Sequence, residues 1–366
     1  MTRRPPTISV VILTYRRPGL LEKCLASAAA ADRRDVGEMI VAVNGSDQAG
    51  AALARSFRSE IAGLRVVELP RSSRGRGRNL AAGHAVFPVV HFLDDDAEVL
   101  EGTFCAVARN FLARPEIKCV GGPNLTPPAS DPFQAAVGRV LSCRLGAWSM
   151  RGRYARVGAP RRADERTLML CNLAFRREVF ARGFGFDEDL VSAEENLLLE
   201  RLGRAGGELF YDPELVVHHH RRASWSGFLS QTFKSGAGRM QAVLRMPSCL
   251  KPHHLGPSLF LLYLGIIARC AQDPAAWTPV VVYGAFVARE GLLYAFFEGG
   301  GWRGGLRVMS LAVGNHAAYG AGFLLGPFSN RGPSQAVESV FLGVDEGGFD
   351  RFEPIAGPQA ALDHLR

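Results

Sequence analysis

The chain has no CxxC pair, and its seven cysteines, at 24, 105, 119, 143, 171, 249 and 270, are scattered and odd in number. That pattern argues against a cysteine metal cluster or a disulfide framework and fits a reducing compartment. The opening residues, MTRRPPTISVVILTY, lack the apolar h-region and small-residue cleavage site of a secretory signal. The folded part is therefore expected to stay in the cytosol. No internal repeat is evident. No aromatic platform is interleaved with the basic residues, so nucleic acid is not expected as a partner.

Hydrophobic residues make up 47% of the 366, enough to bury a sizeable core and to exclude global disorder. That length accommodates one large α/β domain plus an extension. The formal charge of +8, its excess carried mostly by arginine, suits anionic partners such as nucleotide diphosphates and phospholipid head groups.

From Ile8 to about Phe104, apolar runs alternate with helical spacing. Ile8–Thr14, Glu38–Val43, Leu64–Leu69 and Val89–Leu93 read as strands. Gly19–Ala31, Ala49–Ile61 and Asn79–Ala85 read as helices. Such alternation implies parallel βαβ units in a doubly wound sheet, where ligands bind beyond the carboxyl ends of the strands. Thr14-Tyr15-Arg16-Arg17, Asn44-Gly45-Ser46 and Asp94-Asp95-Asp96 stand at those ends. Residues 127–166, rich in Gly, Pro and Arg, read as loops and short helices beside the site. Leu168–Arg176 reads as a further strand and Glu194–Ala205 as a helix. After Pro252 come three apolar stretches, Leu255–Ala268, Trp277–Phe297 and Leu306–Gly326. The second carries Arg289 and Glu290, the third Asn315 and His316, so both spanning hairpins and in-plane amphipathic helices are open. The expected division is 1–250 catalytic, 251–330 hydrophobic and membrane-associated, and 331–366 tail.

Asp94-Asp95-Asp96 follows an apolar strand. Adjacent carboxylates repel one another, and a hard divalent cation, Mn²⁺ or Mg²⁺, relieves that repulsion. On extended backbone Asp94 and Asp96 share a face. A solvated turn with a capping aspartate is the alternative. The segment Arg71–Asn79 sets four arginines and two glycines before a helix, as phosphate binding requires, although an exposed basic loop has the same composition. Glu194 and Glu195 open a helix, where they either complement its dipole or deprotonate an acceptor hydroxyl. Of His218-His219-His220, strand alternation allows at most two to serve one site.

Taken in order, these segments resemble the family-2 glycosyltransferases of the GT-A, nucleotide-diphospho-sugar transferase fold. The resemblance runs from about Ile8 to Arg239. It rests on Val-Val-Ile-Leu-Thr-Tyr-Arg-Arg, the Gly75/Arg78-Asn79 loop-helix and Leu-Asp-Asp-Asp. It continues through Cys171-Asn172-Leu-Ala-Phe-Arg-Arg-Glu-Val-Phe, Gly185-Phe186-Asp187-Glu188 and Glu194-Glu195. The resemblance implies a nucleotide-sugar site at Thr14, Tyr15, Arg16, Asn44, Arg78, Asn79, Asp94 and Asp95. It implies Asp94 and Asp96 as the DxD pair, with Asp96 the direct metal ligand, and Glu195 as the general base of an inverting single displacement. Asn172, Glu194 and His218 are the acceptor-side candidates. Two positions depart from the family pattern: Val43 stands where an aspartate usually meets the base, and glutamate replaces aspartate at 195. Gln231-Thr-Phe-Lys-Ser lacks the arginine and tryptophan of the QxxRW signature of processive synthases, so single-sugar addition is expected. The tail around His316-Ala-Ala-Tyr-Gly-Ala-Gly resembles members that build exopolysaccharide units on a lipid carrier. That implies a saccharide or lipid-linked acceptor at the cytoplasmic face of the inner membrane. Nucleotidyl transfer and a non-catalytic membrane-anchored assembly subunit are the competing readings.

Overall fold

The computed structural model describes residues 5–269 and 272–329. The tail at 331–366 and Cys270 lie outside the described residues. The chain opens with β1 (Ile8–Thr14), α1 (Pro18–Ala30), β2 (Val36–Asn44), α2 (Gln48–Ser56), β3 (Leu64–Leu69), α3 (Arg74–Gly83) and β4 (Val89–Asp94). Then follow β5 (Ala97–Val99), α4 (Thr103–Ala113), β6 (Ile117–Gly121), β7 (Asn124–Leu125), α5 (Pro132–Ser142), α6 (Arg144–Ala147) and β8 (Arg161–Arg162). The third part is β9 (Asn172–Arg176), α7 (Glu178–Ala181), α8 (Glu194–Arg204), β10 (Glu208–Tyr211), β11 (Val217–His219) and α9 (Trp225–Arg245). Three apolar helices close it: α10 (Pro252–Ile267), α11 (Thr278–Phe297) and α12 (Gly301–Leu325).

Eight strands form one sheet in the order β3-β2-β1-β4-β9-β6-β10-β8, and β5-β11-β7 form a second. The first four strands of the large sheet are parallel, as the βαβ pattern requires. β9 runs antiparallel to both β4 and β6, so the sheet is mixed at its centre. Alternation along β1 distributes the core: Ile8, Val10 and Ile12 pack with α1, α2 and α4, whereas Val11 joins the opposite layer with α3 and α8. In that second layer Phe92, Phe175, Phe180 and Phe186 meet edge to face at centroid separations of 5.1–6.0 Å from Phe92.

Several boundaries differ from expectation, among them the end of α2, at Ser56 rather than Ile61. α3 begins at Arg74, five residues before the expected Asn79, because Ser73 Oγ accepts from Arg76 N–H and caps it. The arginine segment is thus the first turns of a helix rather than a loop. Strand β9 is shorter than Leu168–Arg176, starting at Asn172. The 127–166 region contains an eleven-residue helix, α5, capped by Asp131 through Phe133 and Gln134 N–H.

The C-terminal helices form a layer against the rest. α12 runs between α9 and α11, with α10 and α5 also touching it. Val308, Leu311 and Ala312 of α12 share a core with Ala136, Val137 and Val140 of α5 and Phe228 of α9. Glycines let the backbones approach: a Cβ on Gly236 would lie 2.2 Å from Tyr319 O, and one on Gly322 2.0 Å from Phe233 O.

Candidate active site

β1 and β4 are neighbours and end side by side, so Thr14 and Asp94 emerge at one edge of the sheet. The turn after β4 then carries Asp95 and Asp96 back towards the body. Asp95 is fully buried, Asp96 nearly so, and Asp94 keeps 27% of its side chain exposed. Thr14 Oγ1 donates to Asp95 Oδ2 at 2.8 Å. Arg17, at the start of α1, reaches Asp95 Oδ1 at 2.6 Å and Asp96 Oδ2 at 2.7 Å. Burial pushes Asp95 up to about 7 against the pull of Arg17, with Asp96 and Asp94 adding to the rise. Burial also acts upward on Asp96, but His219, Arg17 and Arg222 outweigh it and hold that carboxyl far below the usual range.

The small sheet delivers the histidine. β11 pairs antiparallel with β5, setting His219 opposite Ala97, and His220 N–H donates to Asp96 O at 2.9 Å. This register brings His219 Nε2 within 3.0 Å of Asp96 Oδ1. Ligand atoms of Asp94, Asp96 and His219 all lie within 4.8 Å of one another. Asp96 Oδ1 is buried, with His219 Nε2 as its neighbour. Two carboxylates and an imidazole are a donor set that Mg²⁺ or Mn²⁺ accepts. Arg221 NH1 lies 3.1 Å from His219 Nδ1 and can only donate, so Nε2 is the ring nitrogen that carries hydrogen towards Asp96. His219 joins Asp94 and Asp96 as a ligand only when Arg221 gives up that contact.

On the other flank, α3 and α8 meet through Arg78. Its guanidinium donates to Glu194 Oε1 at 2.6 Å and to Asp94 Oδ1 at 2.9 Å. Burial would lower the Arg78 pKa, but Asp94 and Glu194 raise it above the ordinary arginine value. Burial acts upward on Glu194 too, and Arg74 and Arg78 overcome it and keep the carboxylate ionised. Glu195 is different. No side chain of another residue hydrogen-bonds it among the described residues, and burial together with Glu194 pushes its carboxyl above the usual range, with Arg153 opposing. Ala193, just before this pair, is held at φ 65°, a left-handed conformation that strains a non-glycine residue. Its neighbours are clamped: Val191 O accepts from Arg74, Val191 N–H donates to Gln241 Oε1, and Gly238 of α9 abuts Ser192 O.

At the mouth of β1, Tyr15 lies under the Arg71 guanidinium, 3.7 Å from the ring centroid, with Arg16 at 5.2 Å. Arg16 has φ 52°, and its N–H donates to Asp47, which also caps α2 through Gly50 N–H.

Four candidates are engaged elsewhere. His218 lies on the opposite pleat from His219, across from Glu98, and faces away from Asp96. Asn172 is fully buried, its Oδ1 3.0 Å from His91 Nε2 and its Nδ2 donating to Leu215 O at 2.7 Å. Asn44 ties β2 to the segment before α3 by accepting from Ser72 N–H at 2.9 Å and donating to Ser72 O at 3.0 Å. Asn79 grips Phe186 in the same two-bonded way, at 2.9 Å each. The three amides each satisfy backbone groups where they stand. Conversely, Arg17, Arg71, Asp47, His219 and Arg222 were not among the site candidates. The strand-end tetrad, the histidine triplet and the arginine segment hint at three of them, Arg17, His219 and Arg71.

The glycosyl transferase family 2 model matches residues 9–184, from β1 to the turn after α7. The acidic pair on α8 and His219 lie beyond that match. No curated protein matches the chain. Among solved structures, a mannosyltransferase from Pyrobaculum calidifontis in complex with GDP-Man and Mn²⁺ is similar, with a TM-score of 0.54 and 19% identity. The match covers 87% of this chain and 88% of that one. At that identity the likeness speaks for the fold. The mixed sheet, the carboxylates at the end of β4 and the match over 9–184 together make this a GT-A-fold glycosyltransferase whose residues 9–184 match the glycosyl transferase family 2 model.

Proposed function

We propose that the chain transfers one sugar, with inversion, from a nucleotide-sugar donor to an acceptor hydroxyl on a lipid-linked saccharide at the cytoplasmic face of the membrane. Residues 1–250 form the catalytic unit and 251–330 the membrane-associated region. The observation that supports the reading is the Arg78 bridge, which ties the DxD carboxylate Asp94 to Glu194, the residue before Glu195.

A divalent cation, Mg²⁺ or Mn²⁺, held by Asp94 and Asp96 with His219 beside them, supplies positive charge for the departing diphosphate. Thr14, through Asp95, and Arg17, through Asp95 and Asp96, fix those carboxylates before any ligand arrives. The partly exposed Arg74 and Arg76 in the first turn of α3 add a basic wall and a helix N-terminus suited to phosphate. Tyr15 and Arg71 offer a stacking surface for the nucleobase. Glu195 takes the proton of the acceptor hydroxyl. The acceptor oxygen then bonds to the anomeric carbon as the carbon–oxygen bond to the diphosphate breaks and the nucleoside diphosphate leaves with the electron pair. A carboxylate whose proton affinity is raised by burial is the better base for that step.

The test is calorimetric titration with UDP, GDP and dTDP, each with and without Mn²⁺, on the full chain and on Asp96→Ala. GDP belongs in the panel because the similar mannosyltransferase holds GDP-Man. Metal-dependent binding of one nucleotide, absent in the variant, is expected. Equal binding by parent and variant would sink the assignment of Asp96.

A further inference from the structure

The outer face of the C-terminal layer is apolar and faces no other part of the described chain. Leu262 and Ile266 of α10, Val281, Phe286 and Phe296 of α11, and Trp302 of α12 are each 51–74% exposed. Two helical segments, Pro274–Phe297 and Gly301–Phe328, are long and apolar enough to cross a bilayer. Length alone does not decide between crossing it and lying on it.

The packing of α12 decides. One side of this helix is pressed backbone to backbone on α9 at Gly236, Gly322 and Gly326. α9 in turn is locked into the catalytic body, by the buried Arg239–Glu165 pair at 2.9 Å and by Gln241 Oε1 accepting from Val191 N–H. A helix flanked along its length by such a polar-bearing neighbour cannot be surrounded by lipid. α11 hangs on the outer side of α12, and near its midpoint Arg289 is 62% exposed. In a spanning helix that charge would sit near the bilayer centre at a cost of several kcal/mol. In a helix lying flat its long stem reaches the head groups.

The charges on this layer are one-sided. Glu290 and Glu298 are engaged by Arg139, and Glu290 also by Arg289, while Asp273 caps the turn before α11. Arg269, Arg289 and Arg303, in or next to the helices that carry the apolar face, stay exposed. An apolar face rimmed by arginine is complementary to an anionic lipid surface. We infer that α10, α11 and α12 form a monotopic docking surface that sinks into one leaflet of an anionic bilayer, with α11 in the membrane plane and both of its ends on the same side. The inference rests on the membrane-side acceptor proposed above, and it makes the membrane contact a surface rather than a crossing.

Flotation of the purified full chain with preformed vesicles is the first arm. Binding to phosphatidylcholine–phosphatidylglycerol vesicles is expected, with far less on pure phosphatidylcholine and at high salt. The Phe286→Glu/Phe296→Glu variant alters two exposed positions and should lower the floated fraction at least about tenfold, with nucleotide binding unchanged. No flotation on either lipid would overturn the docking surface, whereas lost nucleotide binding by the parent chain would count against the donor site instead. The second arm places Glu298→Cys between α11 and α12 and treats expressing bacterial spheroplasts with a membrane-impermeant maleimide, using the parent chain as the baseline. Labelling only after lysis is expected. Labelling of intact spheroplasts would show a spanning hairpin and overturn the in-plane arrangement.

Discussion

Glu195 and its neighbour illustrate how two adjacent glutamates take different roles. Glu194 is held ionised by Arg74 and Arg78, whereas Glu195 is raised by burial and by Glu194 itself. Replacing Glu195 by Gln should leave donor affinity unchanged and lower kcat by about 10²–10⁴-fold, the usual contribution of a general base. A base must be deprotonated to act, so activity should rise with pH through its pKa. The acid limb of the kcat/KM profile should therefore lie above the ordinary glutamate value of about 4.3. A limb at or below that value would argue that Glu195 titrates in open solvent and is not the base. At this scale the sequence disclosed strand-end residues well, because a strand that runs into polar residues marks its own carboxyl end. It could not disclose what Asn44, Asn79 and Asn172 hold, since an amide serving buried backbone and one serving a ligand are written with the same letter. His219 rather than His218 faces Asp96 because β11 pairs with β5 in a particular register, and register between distant strands leaves no local trace.

Elements were legible where their period was strong. Strand β3 matches the expected Leu64–Leu69, and α8 matches within a residue at its end. The start of α3 was hidden because Gly75 and Gly77 read as loop residues, yet both serve packing. A Cβ on Gly75 would lie 2.2 Å from Asp187 O, and one on Gly77 3.1 Å from the Leu13 methyls. Gly75→Ala should accordingly push α3 off the Asp187–Glu188 segment. The expected signature is a lowered Tm together with weakened nucleotide binding, because Arg78 shifts with the helix. An unchanged Tm would mean that the Asp187 backbone yields freely. The antiparallel insertion of β9 was likewise invisible, since a buried strand reads the same in either direction. α9 acts as a strut. It grips Ser192 and Val191 on one side and α12 on the other, so Gly238→Ala, whose Cβ would lie 2.3 Å from Ser192 O, should cut kcat more than donor affinity. Equal losses in both would assign α9 a purely structural part.

Across the whole molecule, the helical layer and the α/β body are not separable pieces. Val308, Leu311 and Ala312 complete a core with α5 and α9, and Arg239 and Glu165 are both almost wholly buried beneath it. A chain ended after Leu250 should therefore expose the α9 glycine face and the α5 apolar stripe together. It is expected to be aggregation-prone and to unfold at a lower Tm than the full chain, by light scattering and calorimetry. A soluble, equally stable 1–250 fragment would contradict this. The hydrophobic stretches were legible as helices from composition. Their partner was not, because α12 meets α9 through glycines, which carry no apolar signal of their own.

Synthesis on the ribosome gives that arrangement a temporal side. α9 ends at Arg245 and the helix that covers it ends at Leu325. At elongation rates of about 5–20 residues per second, the intervening eighty residues take roughly 4–16 s to emerge. Throughout that interval the nascent chain presents an uncovered glycine-lined groove, which makes α9 the natural place for a chaperone to wait.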